Sequence, residues 1–147
     1  MYRIAAEINM ATILIVDDTA MFRESVAESL AGHGYETLDA QNGEEALTMC
    51  DLRRPDLIIL DSSMPVMSGP EFLEQLRGQP NLHDVPVIML TGKAGRKKIV
   101  GAAKLGVRDY LLKTELDMSE LLARVQRILV GSESHGPATG IRSTTSL

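Results

Sequence analysis

Leu57-Ile58-Ile59-Leu60 runs without interruption into a single carboxylate, Asp61, and then into the loop Ser62-Ser63-Met64-Pro65-Val66-Met67-Ser68-Gly69. Four consecutive apolar residues, rich in β-formers, leave no polar face for water. The segment therefore predicts a strand covered on both sides, as in the middle of a parallel sheet. Open sheets of that kind bind ligands beyond the carboxyl ends of their strands, and Asp61 stands at that end. Taken alone, it fits a turn-capping aspartate as well as a reactive or ligating one. Its partners elsewhere in the chain decide between them.

The same pattern recurs. Ile13-Leu14-Ile15-Val16 ends in Asp17-Asp18, Val87-Ile88-Met89-Leu90 ends in Thr91-Gly92, and the short run Asp109 to Leu112 ends at Lys113. Tyr35 to Ala40 reads as a further strand. Helical periodicity fills the gaps. Phe22, Val26 and Leu30 share one face of a helix stopped by Gly32 and Gly34. Asn42-Gly43-Glu44-Glu45 resembles an N-cap with an acid at its third position, opening a helix that turns Ala46, Leu47 and Cys50 inward. Pro70 suits the first turn of a helix with Phe72, Leu73 and Leu76 on its apolar face. A helix from about Arg96 carries Ile99, Val100 and Ala103 and stops at Gly106. Asp117-Met118-Ser119-Glu120 reads as a capping box for a last helix that buries Leu121, Leu122, Val125, Ile128 and Leu129 and is closed by Gly131. Five strands alternating with five helices predict an α/β domain with a parallel sheet and right-handed crossovers.

Length and charge set bounds. The chain has 147 residues, enough for one domain. Residues 11–130 carry the periodic pattern. Residues 1–10 form a weakly patterned extension, and 131–147, polar and rich in Ser, Thr and Gly, suggest a disordered tail. A formal net charge of −5 argues against a nucleic-acid-binding surface over the whole domain. The single cysteine, Cys50, excludes an internal disulfide and a multi-cysteine zinc site. No apolar run approaches the ~20 residues that span a bilayer, and the first ten residues lack the apolar core of a signal peptide. A cytoplasmic protein without membrane insertion is the expectation.

In a parallel sheet, strand ends of one polarity lie along one edge. Asp17, Asp18, Asp61, Thr91 and Lys113 should therefore converge. Each has an ordinary explanation alone, as turn, cap or solvated charge; five together at strand ends do not. Clustered carboxylates raise one another's pKa, and a hard divalent cation relieves the repulsion. Mg²⁺ takes oxygen ligands, commonly one or two carboxylates with phosphate and water. Asp61 could then attack phosphorus and become an aspartyl-phosphate. Lys113 can hold a phosphoryl oxygen as a point charge, and the Thr91 hydroxyl can donate to another.

With these residues in place, the chain resembles the receiver domain of bacterial two-component response regulators. The resemblance spans about residues 11–130. It rests on Ile13 to Asp18, Asp61 to Gly69, Thr91-Gly92 and Gly106-Val107-Arg108-Asp109-Tyr110-Leu111-Leu112-Lys113. The 30 residues from Asp61 to Thr91 and the 22 from Thr91 to Lys113 match the family's spacing. The resemblance implies a flavodoxin-like doubly wound sheet of order 2-1-3-4-5. It implies Asp61 as phosphoacceptor, Asp17 and Asp18 as the Mg²⁺-binding pair, and a backbone carbonyl from Ser63 on the metal. Thr91 and Lys113 match the switch hydroxyl and the family's lysine, and Tyr110 the aromatic that changes rotamer. Ser63 and Lys93 fall where dephosphorylation is tuned. The family usually has Pro after the lysine, often with a cis bond; here it is Thr114, so a trans bond is expected. The cluster Arg96-Lys97-Lys98 reads as a solvated helix start or a docking surface for an acidic partner.

The expected function is a stand-alone receiver rather than an enzyme. A sensor histidine kinase or phosphotransfer protein would phosphorylate it. It would signal to a downstream protein target, with no direct contact to nucleic acid. Two other classes compete. A haloacid-dehalogenase-like phosphatase also uses Asp, Mg²⁺, Thr and Lys, but its nucleophile follows the first strand in a D-x-D pattern, whereas Asp17 and Asp18 are adjacent. A non-phosphorylated pseudo-receiver scaffold would not need all five positions intact. No P-loop pattern is present, which argues against an NTPase.

Overall fold

A computed structural model describes residues 11–92, 101 and 104–135. Five parallel strands, β1 (Thr12–Val16), β2 (Glu36–Ala40), β3 (Leu57–Asp61), β4 (Val87–Thr91) and β5 (Asp109–Leu112), form one sheet in the order β2-β1-β3-β4-β5. Four α-helices are seen among the described residues: α1 (Ala20–Ala31), α2 (Gly43–Leu52), α3 (Gly69–Arg77) and α4 (Met118–His135). The helix expected from Arg96, with Lys93 and the Arg96-Lys97-Lys98 cluster, lies outside the described residues.

The three central strands are apolar on both faces because both faces are covered. Side chains alternate along each strand. Leu14, Val16, Ile58, Leu60, Val87 and Met89 pack with Ala46 and Cys50 of α2 and Phe72, Leu73 and Leu76 of α3. Ile13, Ile15, Leu57, Ile59, Ile88 and Leu90 pack with Val26 and Leu30 of α1 and Leu121, Val125, Ile128 and Leu129 of α4. The helix faces expected from periodicity are thus the buried ones, with Phe22, Leu47 and Leu122 at their half-buried margins. The edge strands β2 and β5 are only part-buried.

The helix ends follow local chemistry, with two departures from expectation. Asn42 accepts a hydrogen bond from the Glu45 N–H at 2.9 Å, and Glu45 in return accepts from the Gln41 N–H at 2.8 Å. At α3, Ser68 and Glu71 form a reciprocal capping box that the sequence reading did not single out, with Pro70 in the first turn as anticipated. At α4 the expected box is incomplete. Asp117 accepts from the backbone and hydroxyl of Ser119, while Glu120 turns away to Arg124 at 2.8 Å, a partner one helical turn on. Gly131 does not close α4, which continues to His135. A glycine inside a helix weakens it by about 1 kcal/mol but need not end it. The stop at α1 is different: Gly34, at φ 91°, occupies the left-handed region that Gly adopts without strain.

Candidate functional site

The register of the sheet assembles the site. β3 pairs with β1 and β4, and β4 pairs with β5, all parallel. The residues that end β1, β3, β4 and β5 therefore meet on one edge, as the sequence requires. Alternation then sorts them by face. Asp17 and Asp61 continue the rows Ile13-Ile15 and Leu57-Ile59, which face α1 and α4. Thr91 and Tyr110 fall on the rows that face α2 and α3, where Tyr110 packs against that core. By alternation, Asp17 and Asp61 thus fall on one side of the sheet end and Thr91 and Tyr110 on the other.

Asp17 and Asp61 are almost fully buried, at 1% and 5% exposure, while Asp18 is exposed. Carboxylate oxygens of the three lie within 4.8 Å of one another. Lys113 Nζ donates to Asp17 Oδ2 at 2.7 Å and stands 3.7 Å from Asp61 Oδ2, too far for a hydrogen bond but close enough for ion pairing. Asp17 Oδ1 accepts the Thr19 N–H at 2.8 Å, and Arg23 donates to the Asp17 carbonyl at 2.7 Å. Asp61 Oδ1 accepts the Ser63 N–H at 3.2 Å. The acidic cluster thus offers an all-oxygen donor set with one exposed member open to solvent. That set suits a hard divalent cation with retained water. Thr91, 1% exposed, ends β4 beside these strands.

Electrostatics single out Asp61. Its pKa is raised above the ordinary carboxylate value of 3.8. Burial is the main cause, since it penalises the charged form; the Ser63 N–H opposes it, Asp17 adds to it, Lys113 opposes it and Asp18 adds a little. The folded state therefore holds this proton more tightly than the unfolded chain. Stability falls as pH rises from about 4 through the raised folded value. Asp61→Asn should accordingly melt higher than the wild type at neutral pH without divalent cations, and should lose that part of the pH dependence. Mg²⁺ at a hundredfold excess over its dissociation constant should stabilise the wild type by about 2.7 kcal/mol, and the variant by much less. Thermal melts at several pH values, with and without Mg²⁺, check both. A variant that melts lower than the wild type at neutral pH in a chelator would contradict this account.

Two features were not anticipated. The Tyr110 hydroxyl is buried and makes no hydrogen bond among the described residues. The ring, matched above to the aromatic that changes rotamer, packs partly buried against the core on the α2 and α3 side. The Lys113–Thr114 bond is trans, as expected, since no described peptide bond is cis. In place of the family's proline turn the chain enters a single 3₁₀ turn, Lys113–Glu115, closed by the Leu116 N–H on the Lys113 carbonyl at 3.3 Å. The other surprise is Val66, which holds φ 71° while largely exposed. A β-branched residue in the left-handed region marks strain in the loop after Asp61.

Comparison with known proteins agrees with this geometry. A family model for the response regulator receiver domain matches residues 13–126. The phosphate regulon transcriptional regulatory protein PhoB of Pseudomonas aeruginosa is 40% identical over 118 residues, covering 80% of this chain and 51% of that protein. The response regulator MprA of Mycobacterium tuberculosis is 40% identical over 117 residues, covering 80% and 50%. The chain thus spans about half the length of the curated relatives it matches. Among solved structures, chemotaxis protein CheY4 of Vibrio cholerae superposes with a TM-score of 0.76 at 36% identity, covering 81% of this chain and 98% of that one. A CheY-like receiver domain protein of Methanospirillum hungatei reaches a TM-score of 0.81 at 28% identity, covering 86% and 99%. With the strand order, the acidic cluster and the lysine all in place, the chain belongs to the response regulator receiver domain family.

Proposed function

We propose that this receiver accepts a phosphoryl group on Asp61 and signals by protein–protein contact. The observation that carries this reading is the position of the Asp61 carboxylate. It is buried at the centre of the sheet edge, between an acidic pair and a lysine that serves two carboxylates at once. Response regulators partner with histidine kinases, so the donor is a phosphohistidine on a sensor kinase or phosphotransfer protein. An Asp61 carboxylate oxygen attacks phosphorus in line with the bond to imidazole nitrogen. The new O–P bond forms as the N–P bond breaks, and the imidazole leaves with its electron pair and takes a proton from water. Such transfers need mainly positioning and charge stabilisation.

The chain's own groups divide that work. Asp17, Asp18 and Asp61, with the Ser63 carbonyl, would hold Mg²⁺, which when bound supplies counter-charge to the phosphoryl oxygens. Lys113 exchanges its bond to Asp17 for one to a phosphoryl oxygen. Thr91 donates its hydroxyl to another. Tyr110, one strand over on the same face as Thr91, reports that movement to the surface. Its unbonded hydroxyl supports a switch role, because an orphaned buried donor costs about 1–3 kcal/mol and the inward position is then held by packing alone. The downstream target is a protein, and phosphorylation of Asp61 adds the charge that it reads.

The test is chemical mapping. Incubation with a small acyl phosphate and Mg²⁺ should add one labile phosphoryl group per chain, lost in a chelator. Borohydride reduction should convert Asp61 alone to homoserine in the peptide map. A label on another residue, or none in the presence of Mg²⁺, would overturn the proposal.

A further inference from the structure

Lys113 Nζ has a third neighbour that belongs to no acid. It lies 4.4 Å from the centroid of the Phe22 ring. Phe22 is in the first turn of α1, five residues after Asp17, and packs against the core beneath α1 and α4. The ammonium is therefore boxed from three sides: Asp17 at 2.7 Å, Asp61 at 3.7 Å and an aromatic face. An ammonium has three donors, and a ring face attracts it without demanding a direction. The lysine stem is flexible and would otherwise spread over solvated rotamers. Its side chain is only 23% exposed here.

We propose that Phe22 is a positioning residue that keeps the Lys113 ammonium beside Asp61. The proposal rests on the reading of Asp61 as phosphoacceptor. Its logic lies in what happens to the other two contacts. A cation held by Asp17 and Asp18 competes with Lys113 for the Asp17 carboxylate, and a phosphoryl group replaces the free Asp61 carboxylate. Among these three neighbours, the ring is the one that neither event claims. Because its attraction is spread over a face, the ammonium can pivot from Asp17 toward a phosphoryl oxygen without leaving it. Without the ring, the resting protein spreads Lys113 over several rotamers, whereas the transition state still needs one. The rate falls by the fraction of molecules that lose the competent arrangement.

The experiment compares full-length variants phosphorylated by a small acyl phosphate with Mg²⁺. Phe22→Leu fills the space without a ring and should slow Asp61 phosphorylation about 3- to 10-fold, the range expected for losing a partly buried cation–ring contact. Phe22→Tyr and Phe22→Trp should stay within about twofold of the wild type, because they restore a ring face. Replacing Phe22 with mono-, di- and trifluorophenylalanine keeps its shape while draining the ring's negative face, so the rate should fall stepwise across the series. That series remains decisive if Phe22→Leu fails to fold. A second readout needs no phosphoryl donor. By NMR, the Lys113 ε-methylene protons should be shielded by the ring, with and without Mg²⁺, and lose that shift in Phe22→Leu. A flat rate across the fluorinated series, or a shielding that vanishes when Mg²⁺ is added, would overturn the assignment. If the wild type takes no label on Asp61, the functional reading fails by itself, while the shielding still decides whether Phe22 holds Lys113.

Discussion

Gly69→Ala should be among the most damaging single-methyl changes in the molecule. A Cβ at Gly69 would lie 2.7 Å from the backbone carbonyl oxygen of Asp61 and 2.8 Å from the Cα of Ser62. Neither atom is the end of a side chain that can swing aside. One ends β3 and the other is the next residue, and both are held in place by backbone hydrogen bonds. The Ser62 N–H donates to the Leu90 carbonyl at 2.8 Å, and the Gly69 N–H donates to the Ser62 carbonyl at 3.3 Å. The loop after Asp61 returns on the strand's own backbone, and only a residue without a side chain permits that approach. Overpacking a tight site typically costs 1–3 kcal/mol and occasionally more; with backbone on both sides, about 3 kcal/mol is the expected loss. The effect on function should be larger still. If relief comes by moving the end of β3, Asp61 moves with it, and an error of about 1 Å in a reacting group can cost 10²-fold in rate. The urea midpoint and the acyl phosphate labelling rate of Gly69→Ala measure the two effects separately. A variant as stable and as fast as the wild type would show that the loop can lift without moving Asp61.

Arg77→Met should lower stability by about 3 kcal/mol while leaving the acidic cluster in place. Arg77 ends α3 and has no carboxylate partner within salt-bridge distance among the described residues. Its guanidinium instead donates to four backbone carbonyls: Leu105 at 2.8 Å, Val85 at 2.7 Å, His83 at 3.0 Å and Gly106 at 3.4 Å. One side chain thus ties α3 to the loop before β4 and to the turn before β5. Burial lowers its pKa; Asp84 opposes that and Arg108 adds to it. His83 and Gly106 are exposed, so their carbonyls can rehydrate when the guanidinium goes. Val85 is buried and Leu105 half-buried, so those two bonds account for the expected loss. Methionine keeps much of the stem's volume, which isolates the hydrogen bonds from packing. Thermal and urea unfolding, with phosphorylation of the folded variant as control, test this. Unchanged stability would mean that water replaces the guanidinium at all four carbonyls.

These two residues mark where sequence reasoning reaches its limit. The apolar runs at β1, β3 and β4 were legible because strands covered on both faces have no alternative composition. The helix faces were legible from period alone, down to Val26, Leu30, Phe72, Leu73 and Leu76. Parallel topology then forced the polar residues that end the strands onto one edge. The gathering of Asp17, Asp18, Asp61, Thr91 and Lys113 followed from their places in the chain, before any distance was known. What sequence alone could not supply was everything set by contacts between distant segments. Gly69 reads as loop punctuation until the return of its backbone onto Asp61 is seen. Arg77 reads as a solvated helix end until four carbonyls converge on it. Phe22 was legible as a core residue, but the 90 positions between it and Lys113 carry no sign that its ring edges the charged site. Gly131 carries the signature of a helix stop, yet α4 runs through it to His135. The strands and the chemistry of their ends were written locally, in composition and period; the close approaches that place those ends were decided only by packing in three dimensions.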